Sequence, residues 1–309
     1  MTPLVVTDAS ALRELRGQVD RTPAVELEGL LGALRRASPM PGWSFAQTRE
    51  QFEDNAARLP MPDGVEHAEV TVAGRRALLL TPDTPTDRVC VYLHGGAFTI
   101  GSPDTARALA ARTAQAIRAL TLVVDYRLAP EHPWPAGHDD AVAAIAWAAE
   151  RAQHLVVAGD SAGGGLAIAA AIDAARRDCP ADAVVAMSPW VDLDMPHAQQ
   201  MDLSRDPQAP RWMLERSAQA YRRSGESAAS PLSDDLTLLP PTLVQVGSAE
   251  TLLDDSLALA DRAYGLGAES LTLEYWTGMP HVWQAFAPRL PAANEALDRI
   301  GSWVDRVLG

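Results

Sequence analysis

Lysine is absent from this sequence: all 26 basic residues among its 309 are arginine. That excludes a Walker A phosphate loop, which needs its lysine. It also excludes Schiff-base chemistry, pyridoxal phosphate enzymes included, and the Ser-x-x-Lys hydrolases. Cysteine is nearly absent too, with only Cys90 and Cys179, too few for a disulfide framework. Cys90 lies in the apolar run Val89–Leu93 and reads as a small buried hydrophobe. Positive charge is scarce, and the net charge is −14. Such an excess opposes binding to nucleic acid, which relies on cationic surface, and to anionic membranes. No run of 18 apolar residues is present, and residues 1–20 lack the apolar core of a signal peptide. A cytoplasmic protein with no membrane partner is expected. Neither H-E-x-x-H nor C-x-x-C occurs, so no metal and no other cofactor is expected.

What remains is patterned as a helical start followed by strand–helix alternation. Asp8 or Ser10 is placed to cap a helix through Ala11–Val19, with further helices around Val25–Arg36 and Gln47–Arg58. From Val65, short β-branched runs separated by Gly and Pro predict strands at Val65–Val72, Arg75–Thr81 and Arg88–Leu93. Apolar strands then alternate with helices to the end of the chain. This pattern predicts an α/β fold whose mostly parallel sheet carries helices on both faces. The absence of polar alternation within the strands fits a sheet covered on both sides. Residues 190–230 interrupt the pattern with prolines and no strand-like run, and read as a helical insertion over one end of the sheet. The expected division is a helical cap part at 1–60, a core at 61–189 and 231–309, and a second cap part at 190–230.

Gly159-Asp160-Ser161-Ala162-Gly163 matches the G-x-S-x-G nucleophile elbow, with a predicted strand running in and a helix running out. Its glycines permit the sharp turn, and the helix N-terminus favours developing negative charge at Ser161. His94-Gly95-Gly96-Ala97-Phe98 follows another strand. With the N–H of Ala162, the amides of Gly95 and Gly96, and potentially Ala97, are candidates for stabilising an oxyanion. A plain tight turn is the alternative for that glycine pair.

Seven histidines could serve as base, but in an elbow fold the chain order is serine, acid, histidine. Only His197 and His281 follow Ser161. His197 falls in the insertion, whereas His281 sits in a loop after the last strand, where catalytic groups gather in parallel sheets. His281 is the candidate base. The acid belongs after the preceding strand, where Glu250, Asp254 and Asp255 compete. Glu250 comes first beyond the strand and is favoured; Asp254 is the alternative, since carboxylates a turn later commonly just stabilise a helix N-terminus.

Four segments together resemble the hormone-sensitive-lipase-like branch of the α/β hydrolases. They are His94–Phe98; Asp125-Tyr126-Arg127-Leu128-Ala129-Pro130-Glu131-His132-Pro133-Trp134-Pro135-Ala136; Gly159–Gly164; and Gly278-Met279-Pro280-His281. They span most of residues 88–283. The helical N-terminus and mid-chain insertion resemble that family's two-part cap. Two departures stand out. Ala97 occupies the third glycine of the family's His-Gly-Gly-Gly, and Glu250 stands where the family commonly has Asp. In Asp125–Ala136, the prolines fix a loop shape, and Arg127, Glu131 and His132 are expected to pair internally rather than bind substrate.

The resemblance implies a serine esterase acting on small carboxylic esters of short to medium acyl chain, as a monomer or homodimer. Phe98, Trp190, Trp212 and Trp43 are candidate pocket residues, although each taken alone reads more readily as core packing. A lactone hydrolase or small-metabolite deacetylase would use the same triad. A non-catalytic binding protein on this scaffold is the alternative of another class, as in the family's plant hormone receptors. Those lack the catalytic histidine, and this chain has His281 in its place.

Overall fold

A computed structural model describes residues 2–84, 87–194, 206–222, 230–268 and 270–309. Nine strands form one sheet: β1 (Leu4–Val6), β2 (Val65–Val72), β3 (Arg75–Pro82), β4 (Arg88–Leu93), β5 (Leu120–Val124), β6 (His154–Asp160), β7 (Ala183–Met187), β8 (Thr242–Gly247) and β9 (Leu271–Trp276). Their order is β1-β9-β8-β7-β6-β4-β5-β3-β2. The block from β5 to β9 is parallel, and β1, β2 and β3 pair antiparallel at the two sides. This is the mostly parallel α/β sheet that the strand–helix alternation predicts.

The uniformly apolar strands have a direct cause. Successive side chains of a strand point to opposite faces. Val91, Leu93, Val157, Val184 and Val244 enter one buried cluster, while Cys90, Tyr92, Val156, Val185 and Leu243 enter the other. Each valine or leucine so buried contributes about 1.5–3 kcal/mol relative to exposure. The first face is covered by α5 (Ala136–Ala149), α6 (Ala162–Arg176) and α8 (Leu253–Gly265), and the second by α4 (Pro103–Ile117) and α9 (Pro291–Leu308).

Two elements depart from the sequence reading. Residues 4–6, assigned there to helix and loop, form β1 against β9, a strand too short to show a period. Helix α4 was not recognised, although Ser102 caps it and Pro103 opens it. In the N-terminal part, Asp8 caps α1 (Ala9–Arg16), followed by α2 (Glu28–Ala37) and α3 (Phe45–Ala56). Within residues 190–230, the described part holds α7 (Arg211–Tyr221). Among the described residues no helix is long and apolar enough to cross a membrane.

The parallel register aligns the carboxyl ends of the strands. Leu93 of β4 pairs with Gly159 of β6, Asp160 with Met187 of β7, and Gly247 of β8 with Trp276 of β9. The loops that follow these strands therefore open onto the same edge of the sheet.

Candidate active site

Ser161 sits between β6 and α6 at φ +54°, ψ −123°. A non-glycine residue held there is strained, and such strain persists only where the surroundings over-determine it. Here the Ser161 N–H donates to the Met187 carbonyl at 2.8 Å, and its own carbonyl accepts from Trp190 at 2.9 Å and Gly165 at 3.1 Å. The glycines let α6 seat closely: a Cβ on Gly163 would lie 2.0 Å from the Leu93 carbonyl oxygen.

His281 Nε2 lies 2.9 Å from Ser161 Oγ, and His281 Nδ1 lies 3.4 Å from Glu250 Oε1. All three side chains are buried; Ser161 retains 7% exposure and His281 4%. The second Glu250 oxygen accepts from Ser188 Oγ at 2.7 Å and from the Gly247 N–H at 3.0 Å. Ser188 Oγ in turn accepts from the Val282 N–H at 3.1 Å, tying the acid to the residue after His281. Burial disfavours the protonated imidazole, but the Glu250 hydrogen bond and charge outweigh it. With Asp206 and Asp160 adding to that field, His281 is raised above its ordinary value.

The other two carboxylates of the acid loop face elsewhere. Asp254, the alternative acid, turns outward to Arg21 at 2.5 Å, because its position in the first turn of α8 carries it away from the loop. Asp255 accepts the N–H groups of Val191 and Asp192, and burial pushes it up to about 8. His197 lies outside the described residues.

The turn after β4 holds three successive positive φ values, at Gly96 (+120°), Ala97 (+51°) and Phe98 (+61°). At Gly96 a side chain is impossible, since a Cβ would meet the Ile100 carbonyl oxygen at 2.1 Å. Gly95, grouped by the sequence reading with the oxyanion donors, is placed differently. It abuts the half-buried Asp160 carboxylate, and its N–H is directed there. Among the described residues, the amides of Gly96, Ala97 and Ala162 have no protein acceptor. The Tyr92 hydroxyl completes the Asp160 cradle at 2.8 Å. His94 stacks on Tyr126, with Nδ1 2.7 Å from the Gly95 carbonyl, and burial lowers it to about 4. It is a neutral support of the loop.

The 125–136 segment is braced mainly from outside, with Arg127 also donating to the Ala136 carbonyl within it at 3.2 Å. Arg127 chelates Asp140 of α5, and Glu131 receives both terminal nitrogens of Arg49 from α3. The charges pair across elements: Arg127 finds its carboxylate on α5, and Glu131 finds its guanidinium on α3.

Of the aromatic candidates, Phe98 stacks on Tyr221 at 4.1 Å and tilts against Trp190 at 5.5 Å. Trp134 meets Tyr221 edge-on, so these four rings form a wall beside the turn after β4. Trp43 and Trp212 are half-buried; the Trp43 carbonyl accepts from Arg216 of α7 at 2.5 Å, a link between the N-terminal part and α7. Ser188, Asp206 and Arg49 escape sequence reasoning. Only Ser188 carries a usable signal, its position directly after a central parallel strand.

Comparison with known proteins is consistent with this arrangement. Residues 90–285 match the family model described as the alpha/beta hydrolase fold. The chain is 38% identical over 249 residues to an acetyl-hydrolase of Streptomyces hygroscopicus, covering 78% of this chain and 83% of that one. It is 32% identical over 260 residues to an esterase of Acinetobacter venetianus, covering 81% and 86%. A crystal structure of an esterase from the bacterial hormone-sensitive lipase family superposes with a TM-score of 0.85 at 36% identity, covering 93% of this chain and 100% of that one.

Proposed function

The chain belongs to the hormone-sensitive-lipase family of α/β hydrolases, and from that premise we propose that Ser161, His281 and Glu250 form the triad with which it hydrolyses carboxylic esters. It is an ester hydrolase of the carboxylesterase type. The observation that carries the assignment of residues is the 2.9 Å approach of His281 Nε2 to Ser161 Oγ.

In this reading Ser161 Oγ attacks the ester carbonyl carbon as its proton passes to His281 Nε2. The carbonyl oxygen becomes an oxyanion held by the N–H groups of Gly96, Ala97 and Ala162, which face no competing acceptor. Collapse breaks the bond to the alcohol oxygen, which leaves with the proton from His281. Water then attacks the acyl-enzyme through the same base and returns Ser161. Glu250 keeps the imidazole oriented and stabilises its charged form. The acidic balance of the chain favours a small neutral ester of short to medium acyl chain in the cytoplasm over any polyanion.

Hydrolysis of p-nitrophenyl acetate and butyrate tests the reading. Ser161→Ala should reduce turnover to background, and undiminished turnover in that variant would overturn it.

A further inference from the structure

Three consecutive residues at positive φ form a strained turn, closed by the Thr99 and Ile100 N–H groups donating to the Gly96 carbonyl. The carbonyls that follow its strained centre are captured by neighbours. The Phe98 carbonyl accepts from the Ala129 N–H at 2.9 Å. The Thr99 carbonyl accepts from Arg49 Nε at 2.8 Å. The same guanidinium reaches the Ala129 carbonyl through Nη2 at 2.9 Å, and clasps Glu131 at 3.0 and 2.7 Å. One planar fork thus bridges the turn that carries Gly96 and Ala97 to the loop behind it. Arg49 itself belongs to α3, far from both in sequence.

We propose that Arg49 is a positioning residue for the oxyanion hole. By fixing the Thr99 and Ala129 carbonyls together, it sets the direction of the Gly96 and Ala97 N–H groups. The inference rests on the triad reading but concerns a residue that touches neither substrate nor triad. The fork is essential to it. A guanidinium presents several donors in one rigid plane, whereas an ammonium is a point donor that cannot span two carbonyls and a carboxylate at these angles. Glu131 is 55% exposed at its side chain, so its ion pair contributes little stability and serves to orient the fork.

A defect in the hole has a distinct kinetic signature, because its donors bind the transition state more strongly than the ground state. Removing one donor outright costs about 100- to 1,000-fold in kcat. Releasing the turn without deleting a donor should cost roughly 10- to 100-fold on the same scale. In Arg49→Met, kcat for p-nitrophenyl acetate and butyrate should fall by the same factor with KM within about twofold. Affinity for a boronic acid transition-state analogue should fall in parallel. Arg49→Lys, which keeps charge and length, should recover only part of kcat, and it replaces the Met variant if that one fails to fold. Wild-type kcat in either variant, or loss of kcat with unchanged affinity for the boronic acid, would overturn the proposal. Failure of the triad reading registers separately, as turnover surviving Ser161→Ala.

Discussion

Glu250 spans its gap with one methylene more than aspartate, and its two oxygens divide the work: one faces His281, the other is held by Ser188 and Gly247. His281 must be neutral to take the serine proton, and it is raised above its ordinary value. The acid limb of kcat/KM should therefore lie at higher pH than for an unperturbed imidazole. Glu250→Gln removes the main opposing charge and leaves burial countered only by Asp206 and Asp160, so that limb should move to lower pH while kcat falls about 1,000- to 10,000-fold. Asp254→Asn should stay within about twofold, since that carboxylate serves Arg21 in a half-buried pair away from His281. A pH–rate profile of the two variants decides the assignment; losing activity only in Asp254→Asn would reverse it. At this scale the candidate triad was legible, because chain order and strand-end position restrict each role to one or two residues. Arg49 and Asp206 were not. Each reaches a backbone group far along the chain, Arg49 the Thr99 carbonyl 50 positions away and Asp206 the Thr251 N–H 45 positions away, and no local pattern encodes such a meeting.

Helix α6 is buried along nearly its whole length. An alanine- and glycine-rich helix enclosed on all sides has no amphipathic stripe, so its closeness to the sheet, not its periodicity, is the informative property. Gly163→Ala would drive a methyl group into the Leu93 and His94 carbonyls and force α6 off β4. Overpacking of this kind costs about 1–3 kcal/mol. Urea denaturation should show the loss, and because Ser161 and Ala162 head the same helix, kcat should fall with it. An unchanged midpoint would mean that the helix can shift freely. The elements missed from sequence fail for opposite reasons. The three residues of β1 are too few to show alternation. The fifteen of α4 bury one face against the sheet and another against α9, which blurs the polar–apolar contrast.

At the scale of the whole molecule, the missing lysines make a simple measurement possible. No side-chain amine competes for an acyl group. A short active ester, quenched in acid within seconds, should leave one dominant adduct, on the peptide containing Ser161. The same adduct in Glu250→Gln should form more slowly, and an equal yield in Ser161→Ala would contradict the acyl-enzyme route.

The pairing of β1 with β9 sets an order of assembly. Leu4 finds its partner only at Tyr275, and the Ala24 N–H meets the Gly278 carbonyl three residues before His281. The Asp20 carbonyl waits on Ser248, and the first-made segment also carries Arg49 to the turn after β4. During synthesis, that segment leaves the ribosome long before anything it binds. Contacts so distant along the chain close last and slowly. A nascent chain stopped before β9 would hold the nucleophile without its base, with β1 unpaired and the histidine loop that Ala24 clasps still to be made. Nucleophile and base, 120 positions apart, thus come together only through contacts of long sequence separation.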